Sequence, residues 1–340
     1  MKEKKDNLIA ARLDISNKIG LGHYSRLKNL EGKFSNLRLI WIISGEKNLV
    51  KKILHRKKFI FFANDKNHNK TLRYLKKNSI RKIILDVSHN LNMRSSKIFD
   101  IQKKYLKNNI KLISFDDPRH KIISDISIIP YDYQRNKIQI LNKATKLYLG
   151  PNYQLLSKNF DKIAKRSAKF IKKINKILIC TSGSDSFNLN LRILKIIYEN
   201  NYKFEVLLSS KKSNFFKKKI SNVKFFNFDN YFYKRIFLND IAIIGEGITK
   251  YETSFLGKNH IIISSNKLNQ KLMKHYISHK NCLYLNNFNN SRKDEIKKKI
   301  KDYIVNHNLR YSHYLNTIKK YNFNNNIKKV NILFKAIKDL

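Results

Sequence analysis

Apolar, β-rich runs alternate with amphipathic stretches from one end of the chain to the other, and this alternation leaves few folds open. Strand-like runs fall at Leu8–Leu13, Leu37–Ile43, Phe59–Ala63, Lys82–Val87, Lys111–Phe115 and Ile126–Ile129. After a break they resume at Lys176–Thr181, Phe204–Leu208, Val223–Phe226, Ile241–Ile244, His260–Ser264 and Cys282–Leu285. Most neighbours are separated by a helical pattern, as at Arg94–Lys107 and Asn188–Asn200. Continuous Ile/Leu/Val runs joined by helices are the pattern of parallel strands buried on both faces. The expected class is therefore α/β.

The break between the two series is placed after Tyr148-Leu149-Gly150-Pro151-Asn152-Tyr153, where a Gly-Pro pair ends a strand. A Lys-rich helix, Phe160 to Lys173, is expected to lead into the second series. The division predicted is an N-terminal Rossmann-like domain at 1–153, a second at 174–290, and C-terminal helices at 291–340. Two such doubly wound domains facing a cleft would hold a ligand between the carboxyl ends of their strands. The tail reads as two helices around the polar segment Asn322–Asn326, packing back on the first domain by analogy with such folds.

Composition removes several classes. Hydrophobic residues make up 42% and aromatics 12% of 340 residues, enough for globular cores. The longest apolar runs are too short to span a bilayer, and no signal-peptide core follows the charged start. Two cysteines make no disulfide framework, so a reduced, cytoplasmic protein is expected. The formal charge of +48 raises nucleic acid or an anionic membrane as partners. The lysines are spread over the whole length, however, and rise together with Asn and Ile as an A/T-rich coding bias would produce. Most are read as solvated surface, with no dedicated nucleic-acid footprint.

Three constellations sit where a strand passes into a helix. In the first, Arg12-Leu13-Asp14 is followed by Gly20-Leu21-Gly22-His23-Tyr24-Ser25-Arg26. Glycines let the backbone approach a ligand, and free N–H groups at a helix start attract anions. His23 in the first turn should be held neutral by the helix N-terminus, able to take a proton from water; an incidental histidine in a structural turn is the alternative. The third glycine of the dinucleotide fingerprint is absent. In the second, Cys180-Thr181-Ser182-Gly183-Ser184-Asp185 could cradle a pyrophosphate, or simply cap a helix. In the third, Gly245-Glu246-Gly247-Ile248-Thr249-Lys250-Tyr251-Glu252 places Glu252 in a partly apolar helix, where a buried acid needs a partner. Ribose hydroxyls would serve; an exposed glutamate is the alternative.

As a set these segments resemble the UDP-sugar hydrolases of the pseudaminic acid pathway, relatives of the GT-B glycosyltransferase that builds lipid II. Their R-x-D…G-x-G-H-x-x-R is similar to Arg12, Asp14, Gly20, Gly22, His23 and Arg26. Their D-D segment resembles Asp116-Asp117, and their L-L-G-P-x-Y-x-L-L…F resembles Tyr148 to Leu156 with Phe160. Their G-G-S-D corresponds to Ser182 to Asp185, and D-x-A-I…G-x-T-x-x-E…G…N-Q to Asp240, Ala242, Ile243, Gly247, Thr249, Glu252, Gly257, Asn269 and Gln270. The resemblance runs in order from residue 8 to about 285.

The resemblance implies that UDP is cleaved from a 2,4-diacetamido-2,4,6-trideoxy hexose with inversion at C1, without metal or cofactor. It assigns water activation to His23 and sugar contacts to Arg12, Asp14, Gly22, Arg26, Asp86, Ser88, Asn152 and Tyr153. It assigns UDP to Gly183, Ser184, Asp185, Gly247, Thr249, Glu252, Asn269 and Gln270. A diphosphate leaving group needs charge stabilisation more than a strong acid, which helix N-termini can supply. The chain departs from the family at Ser88, where a tyrosine is usual after Asp86, at Ser182, and at Glu246, where small residues are common. His89, close after Asp86, is a candidate substitute ligand group or base. A glycosyltransferase on the same scaffold and a non-catalytic nucleotide- or polyanion-binding protein are the rival readings.

Overall fold

A computed structural model describes residues 8–16, 22–34, 37–54, 59–87, 95–165, 169–181, 188–208, 220–227, 232–264, 270–286, 288 and 292–340. The side chains of residues 52–53, 95–96 and 270–272 lie outside that description. The chain divides into two compact units, 1–158 with 325–340, and 159–324.

The first unit is built on a parallel sheet of β1 (Leu8–Ile15), β2 (Arg38–Gly45), β3 (Phe59–Phe62), β4 (Lys82–Asp86), β5 (Lys111–Phe115), β6 (Ile126–Ile129) and β7 (Lys146–Leu149). Its order is β3-β2-β1-β4-β5-β6-β7, and every neighbour pair is parallel. Strand side chains alternate between faces. Ala11, Leu13 and Ile15 therefore face one core with α1 (Gly22–Lys33) and α2 (Lys47–Leu54). Ala10, Ile42, Ile83 and Leu85 face another, with α3 (Asn69–Lys77) and α4 (Ser95–Lys107). Helix α1 buries Tyr24, Leu27 and Leu30, a repeat of three that keeps one stripe on the sheet.

The second unit repeats the plan with β8 (Lys176–Cys180), β9 (Lys203–Leu207), β10 (Val223–Phe226), β11 (Ile241–Ile244), β12 (His260–Ile263) and β13 (Leu283–Leu285). Its order, β10-β9-β8-β11-β12-β13, is the same reversal pattern, again all parallel. Helices α6 (Leu189–Ile197) and α10 (Lys293–Val305) cover one face through Ile193, Leu194, Ile197, Ile296, Ile300 and Ile304. Helices α7 (Phe232–Leu238), α8 (Thr249–Phe255) and α9 (Gln270–Ile277) complete the series. In both sheets the order reverses beside the first strand, which opens a crevice at the carboxyl ends of β1/β4 and β8/β11.

Two local expectations are corrected. The Lys-rich helix is short: α5 spans Lys158–Ala164, and residues 169–173 are not helical. The tail forms three helices, because Asn306 stops α10 and caps α11 (His307–Lys320) through its Oδ1, 3.0 Å from the Leu309 N–H. The Asn-rich segment expected as a linker instead opens α12 (Phe323–Asp339). Of these helices α12 packs on the first sheet, through Val330, Leu333 and Ile337, and α10 packs in the second unit.

Candidate functional site

The reversal point of the first sheet gathers a cation, a carboxylate and a histidine. Asp86 ends β4 in register with Leu13 and points to the face that packs α1, as Ile84 does two residues earlier. His23, the second residue of α1, brings Nδ1 to 2.6 Å from Asp86 Oδ1. One turn on, Arg26 donates from Nε to Asp86 Oδ2 at 2.9 Å and from Nη2 to Oδ1 at 3.1 Å. Asp86 is buried, whereas the His23 side chain keeps 19% of its surface exposed.

Burial alone would push the Asp86 carboxyl upward, but the adjacent Arg26 and His23 outweigh it and hold it below the usual carboxylate range. Burial likewise works against the charge on Arg26, and Asp86 and Tyr131 more than compensate. The ion pair is bidentate, and the Arg26 guanidinium lies 4.6 Å from the Phe115 ring centroid. The His23 tautomer that carries its proton on Nδ1 donates to an ionised Asp86, and in that tautomer Nε2 keeps its lone pair for a ligand or a water. Arg26 also donates from Nη1 to the Tyr131 hydroxyl at 3.3 Å. Tyr131 follows β6 and belongs to no motif, so sequence spacing held no signal for it.

The other predicted residues of this unit are placed differently. Arg12 is buried with the Ala10 face of β1, away from α1; its Nη1 donates to the Leu13 carbonyl and to Asp14 Oδ1, both at 2.6 Å. Gly22 opens α1 and is exposed. Asn152 and Tyr153 lie in a 3-10 turn that follows Gly150, whose φ of 113° suits glycine. Side-chain amides pin that turn: Asn326 of α12 donates to the Asn152 and Gln154 carbonyls, Asn29 of α1 to Leu155, and Gln154 to Pro130. Asp116 is a buried acceptor for Gln102 and Ser127 at 2.8 and 2.6 Å. Asp117 accepts from the Arg119 backbone and guanidinium. Gly20, Ser88 and His89 lie outside the described residues.

In the second unit the equivalent point is the approach of β8 to β11. A Cβ on Gly245 would stand 1.9 Å from the Thr181 carbonyl oxygen, so only glycine lets the two strands end side by side. Thr181 donates from its backbone N and its hydroxyl to Asn190 Oδ1, both at 2.8 Å. Beyond Gly245, Gly247 is exposed and Thr249 begins α8. Glu252, in the first turn of α8, has no hydrogen-bond or ion-pair partner for its carboxylate among the described residues. It keeps partial contact with solvent, yet burial pushes its carboxyl up to about 7. Glu246 accepts from the hydroxyl of Tyr284 in β13 at 3.1 Å, a pairing 38 residues apart that motif spacing did not reveal. Gly183, Ser184, Asp185 and Asn269 lie outside the described residues, as does the side chain of Gln270, which starts α9. Asp240 ties the start of β8, accepting from the Asn175 and Lys176 backbone at 2.7 and 2.8 Å.

Among the described residues no three His, Cys, Asp or Glu side chains converge as metal ligands, and no helix is long and apolar enough to cross a membrane.

No family model matches the chain. In sequence it is 25% identical over 303 residues to an uncharacterized protein of Methanocaldococcus jannaschii, covering 82% of this chain and 60% of that protein's length. In structure it is similar to MurG of Acinetobacter baumannii, with a TM-score of 0.60 and 9% identity over 96% of this chain and 99% of that one. It is also similar to the UDP-GlcNAc 2-epimerase of Neisseria meningitidis bound to UDP-GlcNAc (TM-score 0.57, 11% identity, 96% and 100% coverage). A third is the spinosyn rhamnosyltransferase SpnG complexed with thymidine diphosphate (TM-score 0.62, 8% identity, 97% and 99% coverage). These similarities establish the fold as two Rossmann-like α/β units of the GT-B class.

Proposed function

We propose that the protein hydrolyses a UDP-linked 2,4-diacetamido-2,4,6-trideoxy hexose, releasing UDP and the free sugar for nonulosonic acid synthesis. The 2.6 Å contact between His23 Nδ1 and Asp86 carries the reading. A carboxylate behind Nδ1 fixes the ring and leaves Nε2 as the base, the arrangement that general-base activation of water requires. Water then attacks C1 as Nε2 takes its proton; the C1–O bond to the diphosphate breaks with inversion, and UDP leaves as the anion. Arg26 keeps Asp86 ionised throughout, and Asp86 stabilises the imidazolium that forms.

The UDP is assigned to the second unit, with Gly183, Ser184, Asp185, Gly247 and Thr249 toward the phosphates, Glu252 on the ribose, and Asn269 and Gln270 in the same pocket. Glu252 supports this: a desolvated carboxylate lacking a protein partner among the described residues is satisfied by vicinal hydroxyls. The fold neighbours, which include a nucleotide-sugar epimerase and transferases, support an enzyme acting on nucleotide sugars.

The test is a panel of UDP-diacetamido sugars incubated with the protein in the absence of acceptor, following UDP release. Release that depends on His23 is the expected result. No release from any of them overturns hydrolysis, and release only on adding an acceptor alcohol assigns the site to transfer, as the transferase neighbours would favour.

A further inference from the structure

Helix α11 buries polar residues and leaves an apolar stripe in water, beside the exposed polar His307, Asn308 and Ser312. Its buried residues are Arg310, His313 and Thr317. Arg310 donates to the Ile171 carbonyl at 2.7 Å and to that of Lys172, His313 Nδ1 lies 3.0 Å from the Tyr303 hydroxyl, and Thr317 donates to the His313 carbonyl at 2.7 Å. On the outside Tyr311, Leu315 and Ile318 follow at spacings of four and three, and are 47%, 42% and 40% exposed. A surface helix ordinarily has the opposite distribution.

The Arg310 bonds lay residues 169–173 along the same helix. Phe170 continues the apolar stripe, its ring centroid 5.0 Å from that of Tyr311 and 5.7 Å from that of Tyr314. Lys169, Lys172, Lys173, Lys319 and Lys320 are exposed around it. Neither α11 nor residues 169–173 contain an acidic residue.

We infer that this face of α11 docks on an anionic membrane surface. Interfacial helices combine aromatic and aliphatic side chains that enter the headgroup boundary with lysines whose stems lie along it and whose ammonium groups reach lipid phosphates. Leu315 and Ile318 have no π-face on which a nucleobase could stack, which favours lipid over single-stranded nucleic acid. A second copy of a chain carrying +48 would meet this lysine rim with like charge.

The intact protein is centrifuged with phosphatidylcholine vesicles and with vesicles containing about a quarter phosphatidylglycerol. Binding to the mixed vesicles alone is expected. The triple variant Tyr311→Ser/Leu315→Ser/Ile318→Ser is expected to bind at least about tenfold more weakly with an unchanged melting temperature. Leu315→Gln alone serves if the triple variant does not fold, with an expected loss of a few-fold. Equal binding by the variants means diffuse charge suffices and overturns the proposal, as does wild type that ignores both vesicles. A dimer dissolved by the variants assigns the face to a second copy, and an equal loss of oligonucleotide binding in place of vesicle binding assigns it to nucleic acid; either overturns it.

Discussion

The two units end their sheets in the same reversal, and they finish it in opposite ways. At β1/β4 the charges satisfy one another: Arg26 grips both oxygens of Asp86, and Asp86 grips His23. At β8/β11 the acid in the first turn of the helix after β11, Glu252, is left without a partner among the described residues and is pushed up to about 7 by burial. A self-paired site is organised before substrate arrives, as a base needs to be. An unpaired acid raises the free energy of the empty protein and lowers it on binding, as a ligand site can. On the proposed reading, the difference separates the unit that would carry the chemistry from the one that would hold UDP.

The comparison breaks most directly at His23. His23→Ala is expected to slow UDP release by about 10²–10⁴-fold with little change in KM, as loss of a general base does. A rise in KM with kcat retained would instead move His23 into the binding group.

Next in size is the ion pair behind it. Replacing Arg26 with Met removes the guanidinium from the buried Asp86 and leaves it the His23 contact, so a loss of about 3–5 kcal/mol in stability is expected at neutral pH. Chemical denaturation checks it. The pH dependence has a definite sign. Asp86 titrates below its unfolded value, so its stabilisation is present above the ordinary carboxylate range and is lost as pH falls through the lower folded value. In Arg26→Met burial acts on Asp86 with less opposition, so that acid-side loss should shrink or reverse, and the variant's deficit against wild type should narrow as pH falls.

These two sites also show what a sequence discloses. Strand runs and helix stripes were legible because the periods of two and 3.6 leave a continuous trace along the chain. Of the twelve strand-like runs, even the short Val223–Phe226 is a strand. The tail was misread because Asn306 acts as both stop and cap, while the more conspicuous Asn322–Asn326 mostly continues into a helix. His23 and Arg26 stood out by their spacing on one helix. Asp86 was read as a sugar contact, and its hold on His23 comes from a strand register 63 residues away. Tyr131 and Tyr284 carried no local pattern for their pairings, since side chains from elements far apart in the chain meet only once the sheet order is known.

The smallest effect separates the two acids by proton linkage. Glu252 titrates near 7 in the folded protein against an ordinary value of 4.5, so the folded state holds its proton longer than the unfolded one. Its cost is therefore absent at low pH and develops as pH rises from the ordinary value through about 7, the reverse of Asp86. Glu252→Gln should raise stability at pH 8 by roughly 1–3 kcal/mol, allowing for partial solvent contact, and leave it nearly unchanged at acid pH. Ribose hydroxyls favour the ionised form, so wild type should bind a UDP-sugar about tenfold more tightly at pH 8 than at pH 6, and the Gln variant should lose that dependence. Thermal melts and calorimetric titration across this range decide it. A stability gain without the loss of pH-dependent binding would make Glu252 a mere packing defect, and the second reversal point would no longer be the holding site.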